Sequence, residues 1–285
     1  MKTKRLLLMV MAAMLTVGVV SCGKDDENGN GNGNGGNNGG GNTTVEWVDL
    51  GLPSGLLWAT CNLGADSPEG YGDYYAWGET TTKSTYNWST YRYCNGGYDQ
   101  LTKYCSMGSY GYNGFTDNLT VLEAMDDAAT QALGSGARMP TADEWRELIN
   151  NTTSAWTTQN GVKGRRFTAS NGKSLFLPAA GNRWDGELVD AGSGGRYWSS
   201  SLRSGNPDYA WRFYFDSDGQ GMHYDDRGYG LAVRAVRQNE TLFRSPATGK
   251  KLGGGAGDAR SARPRQPTFC GDLKKRSNVT AERDT

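Results

Sequence analysis

Chemistry needs a base, a nucleophile or a metal site, and in this chain the supply is narrow. His223 is the only histidine, so a multi-histidine zinc or iron centre cannot form, and a Ser-His-Asp relay would depend on that one ring. Ser199-Ser200-Ser201 falls in a strand pattern without the strand-turn-helix setting of an activated nucleophile, and is read as structural hydroxyls. Asp216-Ser217-Asp218 and Asp225-Asp226 have the oxygen ligands that calcium requires, but they read as turn carboxylates, so no metal and no cofactor is expected. The residues better placed for work are those of recognition. Between YWSSS and GLAVRAVR stand Tyr209, Trp211, Tyr214, His223, Tyr224, Asp225, Asp226, Arg227 and Tyr229. Rigid rings with polar tips, interleaved with charges, are what binding surfaces use. The competing reading is a Tyr-rich surface sheet with no ligand.

Those side chains need strands to carry them. The run Leu231, Val233, Ala235 has the period of two expected of a strand, and short strands are also expected at Asp208–Phe215 and Gln220–Tyr224. Upstream, Val45–Leu50 and Leu56–Thr60 flank the turn Gly51–Gly55, and further strands are expected at Val162–Thr168, Ser174–Pro178, Arg196–Ser201 and Gly230–Arg237. The Gly-, Tyr- and Trp-rich section from Tyr71 to Tyr112 predicts long ordered loops pinned by rings. Two helices are predicted. One runs from about Val121 to Leu133. The other starts after Thr141, where Thr141 and Glu144 form a capping box ahead of Trp145, Leu148 and Ile149. The sum is an α+β domain from Val45 to Arg237 with two helices, short antiparallel strands and long irregular loops.

Charge and composition divide the chain further. Hydrophobic residues make up only 36% and glycine accounts for 42 positions, so the core material is concentrated in the middle. Residues 45–237 carry 16 Lys+Arg against 22 Asp+Glu, a net of −6, and residues 238–285 carry 10 against 5, a net of +5. An acidic body without a basic stripe is a poor partner for nucleic acid. Residues 238–285 read as a basic disordered tail. At the other end, Lys2, Lys4 and Arg5 precede the apolar stretch Leu6–Val20, the layout of a signal peptide too short for a comfortable span. Val19-Val20-Ser21-Cys22 resembles a bacterial lipobox. That makes residues 1–21 the expected signal peptide and Cys22 the expected lipid anchor to the outer membrane, with no transmembrane helix in the mature protein. The Gly/Asn tract that completes residues 22–44 would then be a tether reaching roughly 20 to 25 Å by random-coil scaling.

Nine segments, taken in order, carry a resemblance: VDLGLPSGLLWATCNLGA, GDYYAWGET, YGYNGFTDN, DDAAT, RMPTADEWREL, WTTQNG, SLFLPAAGNR, AGSGGRYWSSS and YGLAVRAVR. Together they are similar to the Fibrobacter succinogenes major paralogous domain of Bacteroidetes surface lipoproteins, over Val45 to Arg237. The resemblance implies a C-type lectin-like fold, shared with formylglycine-generating enzymes and with the variable proteins of diversity-generating retroelements. It implies that the aromatic and charged positions named above, together with Arg203, Arg212 and Asp216, form one exposed face, facing the cell exterior and binding a protein or a glycan. The calcium-lectin signatures EPN, QPD and WND are missing, as is the downstream cysteine pair with which formylglycine generators hold copper, so no enzyme activity is expected. An enzyme related to the formylglycine generators stands as the alternative reading, and a structural part of a surface appendage as another. In an oxidising envelope Cys94 and Cys105 are the expected disulfide pair, with Cys61 free or buried.

Overall fold

Leu231 to Val236 joins the two apolar clusters of the described domain, and the period of two explains why. Leu231, Val233 and Ala235 pack into one apolar cluster while Ala232 and Val236 pack into a second on the opposite side. Each cluster then recruits its own layer. The computed structural model describes residues 45–134 and 136–240; the signal, anchor and tether expectations for residues 1–44, and most of the expected tail, lie outside the described residues.

In chain order the elements are β1 (Trp47–Asp49), β2 (Leu56–Ala59), β3 (Tyr74–Tyr75), α1 (Ala128–Leu133), β4 (Ala137–Arg138), α2 (Ala142–Asn150), β5 (Thr152–Gln159), β6 (Val162–Ala169), β7 (Ser174–Pro178), β8 (Asn182–Trp184), β9 (Glu187–Val189), β10 (Gly195–Leu202), β11 (Tyr209–Phe215), β12 (Gln220–Asp226), β13 (Leu231–Ala232) and β14 (Val236–Gln238). The class is α+β, mostly sheet with two α-helices among the described residues. A five-stranded sheet runs β12-β11-β10-β13-β3, and a four-stranded one runs β1-β2-β14-β4. The stretch expected as one strand, Gly230–Arg237, is thus split between the two sheets, with β13 in one and β14 in the other. Gln238 still pairs with Leu56, so the domain runs past the expected boundary at Arg237.

Both halves of the capping box at Thr141 and Glu144 are present, and α2 buries Trp145 and Leu148 against the long sheet. Trp145 stacks on Phe213 with centroids 4.9 Å apart, and its indole N–H donates to Trp198 O at 3.2 Å. The other helix is shorter than expected. Asp127 caps it by accepting from Thr130 N, so it starts at Ala128, and Val121 and Met125, inside the expected helix, are exposed and precede it. The loops from Tyr74 to Tyr104 are pinned by rings: the Tyr93 hydroxyl bonds to Asp126, and the Tyr104 hydroxyl and Lys103 Nζ each reach Asp126 Oδ2 at 2.6 Å.

Two arginines take the place of apolar core. Arg234 is fully buried, bonding Asn62 and the carbonyls of Ala59, Thr60 and Phe176, and burial lowers its pKa to about 10. Arg227, expected on the binding face, is 0% exposed. Its guanidinium donates to the Tyr91 hydroxyl and to the carbonyls of Tyr104, Pro207 and Lys103, within reach of the rings of Trp77 and Tyr91. A buried cation survives when every donor is satisfied. Arg227 therefore ties the sheet to the loops and does not face a ligand.

Candidate recognition hairpin

Hairpin β11–β12 forms the outer edge of the five-stranded sheet. Its register pairs Tyr209 with Asp226, Trp211 with Tyr224, Arg212 with His223 and Tyr214 with Gly221. Directly opposed residues share a face and successive residues alternate. The expected single face is therefore two. On the α2 side lie Tyr209, Trp211, Tyr224 and Asp226, continuing the row begun by Phe213 and Phe215. On the reverse lie Arg212, Tyr214, His223 and Asp225.

The α2-side group is a connected set of rings. Tyr209 and Tyr224 meet at 5.2 Å between centroids, and Trp211 meets Tyr224 edge-on at 6.1 Å. Arg203 lies 3.8 Å over the Tyr224 ring, held from the side by Asn206 Oδ1 at 2.8 Å. A residue that sequence reasoning missed completes the set: Arg146 of α2 stands 5.1 Å over Trp211 and pairs with Asp143 at 2.7 Å. It comes from a helix far upstream, and no local pattern links it to the hairpin. Tyr224 is 43% exposed and Trp211 and Tyr209 partly so. The Asp226 carboxyl is pushed up to about 6 by burial, with Asp208 and Asp225 adding to the effect.

On the reverse face the charges are mostly met by neighbours within it. Arg212 is buried and paired with Asp225, although its N–H groups do not point along the contact, so the pair is an ion contact without an aligned hydrogen bond. Burial lowers the Arg212 pKa and raises that of Asp225. Arg196 lies 5.4 Å over Tyr214, and His223 is exposed with its ring 5.5 Å from Tyr214. Asp216 is spent on the turn: Oδ1 accepts from the Asp218 and Gly219 amides and Oδ2 from the Tyr214 hydroxyl, which together lower its pKa. Tyr229 packs edge-on to Trp184 at 4.2 Å, against a β8–β9 hairpin whose strands sequence reasoning did not separate from loop.

The serines are committed to structure. Ser199 Oγ donates to Trp211 O at 2.7 Å, and Ser201 Oγ accepts from Ala142 N at the start of α2. Among the described residues no group of three His, Cys, Asp or Glu side chains is placed to hold a metal. Cys94 and Cys105 are not a disulfide but free thiols, each donating to a carbonyl at 3.1 Å, Trp88 O and Met107 O respectively. Cys61 is buried and disulfide-bonded. No described helix is long and apolar enough to cross a membrane. No family model, no curated protein and no solved structure matches the chain at a significant level.

Proposed function

We propose that this chain is a lipid-anchored, surface-displayed recognition module with a C-type lectin-like fold, in the manner of the major paralogous domains and retroelement-diversified proteins that its segments resemble. It binds a protein or glycan through the α2 side of the β11–β12 hairpin. The observation that carries this reading is the ring set Tyr209, Trp211 and Tyr224, part-exposed and flanked by Arg203 and Arg146. Rings supply contact area at low entropic cost, and stacked arginines supply directional donors. The reading now excludes Arg227 from contact and leaves Arg212, Tyr214, Asp216, His223, Asp225 and Tyr229 off the ring face.

The test is binding of the labelled protein to a glycan array and to an array of extracellular proteins, alongside the double variant Trp211→Ala/Tyr224→Ala. The expected outcome is a set of spots bound by the parent and lost by the variant, with the variant's near-ultraviolet spectrum otherwise retained. Spots bound equally by both proteins would refute the assignment, as would a parent that binds nothing on either array.

A further inference from the structure

The outer edge of β12 offers backbone groups whose identities can be worked out. Asp216 N donates to Gly219 O at 3.0 Å at the turn, and Arg227 N donates to Asp208 O at 3.1 Å at the far end. Bonded and non-bonded pairs alternate along an antiparallel ladder, and the register between these two bonds is unbroken. The bonded pairs are therefore Tyr214–Gly221, Arg212–His223 and Ala210–Asp225. By the same alternation the N–H and C=O groups of Gln220, Met222 and Tyr224 point away from β11. No described backbone group bonds to them, and among the described residues β12 has no strand on that side. The strand reads QGMHYDD, without the lysine or proline that natural edge strands use to repel a neighbour.

We propose that two copies of this chain pair β12 with β12, antiparallel about a two-fold axis at His223, joining two five-stranded sheets into one. In this register all seven residues of the strand are used. Met222 lies opposite the other copy's Tyr224 in a bonded pair, a sulfur-to-ring contact. Gln220 lies opposite Asp226, and Gly221 leaves room for Asp225. No carboxylate faces a carboxylate, whereas centring the axis on Met222 would set Asp226 against Asp218. The pairing is self-complementary, as a two-fold interface must be. Because the axis runs normal to the sheet, both copies' Tyr209, Trp211 and Tyr224 come to the same side. The assembly thus presents two ring sets side by side, which gives avidity to any repeating ligand. This pairing does not depend on the ligand reading, and its test does not use a ligand.

Two variants of the full chain in detergent decide the matter. His223 would sit opposite its own copy in a non-bonded pair with Cα atoms about 4.5 Å apart, inside the range a disulfide spans. The His223→Cys variant is expected to give a reducible covalent dimer under mild oxidation, several-fold more than Gly221→Cys or the parent. The Met222→Pro variant removes an N–H that faces outward and leaves the β11 ladder whole, so it is expected to lose the dimer that the parent shows by sedimentation velocity while keeping its near-ultraviolet spectrum. Equal cross-linking by Gly221→Cys, or a parent that stays monomeric throughout a concentration series, would overturn the proposal. Should Met222→Pro fail to fold, the register-specific cross-link decides alone.

Discussion

Arg227 Nε donates to the Tyr91 hydroxyl at 2.9 Å, and the other acceptors around that guanidinium are all neutral carbonyls. The residue sits one position beyond β12, yet its role is opposite to that of Tyr224 three residues earlier. Replacing Arg227 with Met strands four acceptors in the interior, and a loss of about 3 kcal/mol or more is expected for breaking such a network. Lysine should not rescue it, since one ammonium cannot reproduce the planar fork. Tyr224→Ala removes an exposed ring and should cost under about 1 kcal/mol. Urea unfolding of the variants checks both, and an Arg227→Met protein as stable as the parent would remove the structural role.

How far the sequence reaches can be judged from the same hairpin. The strand expected at Asp208–Phe215 and the capping box before α2 are local features, and both appear close to where expected because strand period and cap chemistry act over a few residues. The sorting of Tyr209 and Trp211 from Arg212 and Tyr214 was also implicit in that period. A face made of consecutive chemistry-bearing residues cannot exist on a strand. What no local pattern encodes is which charge is satisfied at a distance. Arg227 and Arg234 are satisfied in the interior partly by carbonyls more than a hundred residues upstream, those of Lys103 and Tyr104 for the first and of Ala59 and Thr60 for the second. Arg146 joins the ring set only through packing of α2 on the sheet. The helix expected from Val121 starts late for a local reason: Asp127 caps it at Ala128, and the chain just ahead, Ala124–Asp126, makes only a single 3-10 turn.

Acid should strengthen one part of the hairpin. The Asp226 carboxyl is raised to about 6 by burial and by the nearby Asp208 and Asp225, whose own carboxyls burial also raises. A carboxyl whose folded value lies above its unfolded value of about 3.9 contributes stability that is complete below the unfolded value and is lost as pH rises through the folded one. Asp226→Asn removes that loss. The variant is expected to match the parent near pH 4 and to exceed it progressively up to and beyond pH 6, measured as the difference in urea midpoint. A difference that stays constant across this range would show that Asp226 does not carry the linkage.

The thiols make a separate prediction. Cys94 and Cys105 each donate to a carbonyl, and burial raises both pKa values. Cys94 is part-exposed and Cys105 buried, and thiols with raised pKa values react slowly with alkylating agents, because only the thiolate attacks. Under native conditions little label is expected on either. In denaturant without reductant both should take it up completely, as read by peptide mass. A peptide linking Cys94 to Cys105 under those conditions would reinstate the pairing that the oxidising-envelope argument favoured.

Two adjacent glycines separate space from conformation. A Cβ built on Gly195 would come within 2.1 Å of the Phe215 ring, while one on Gly194 would come no closer than 3.4 Å to the Tyr214 ring. Phe215 cannot yield easily: it is fully buried, lies parallel to Tyr197 at 6.0 Å and packs against Phe213. Gly195 is paired opposite Phe215 at the start of β10, so displacing the ring also disturbs the first pair of the strand on which the recognition hairpin rests. Gly195→Ala is expected to cost about 1–3 kcal/mol, the range for overpacking a filled core. Gly194→Ala should be close to neutral. Because neither glycine has a left-handed φ, conformational strain does not enter the comparison, and thermal unfolding of the two variants reads the steric term by itself. Equal melting temperatures for the pair would mean that Phe215 has room the packing does not provide.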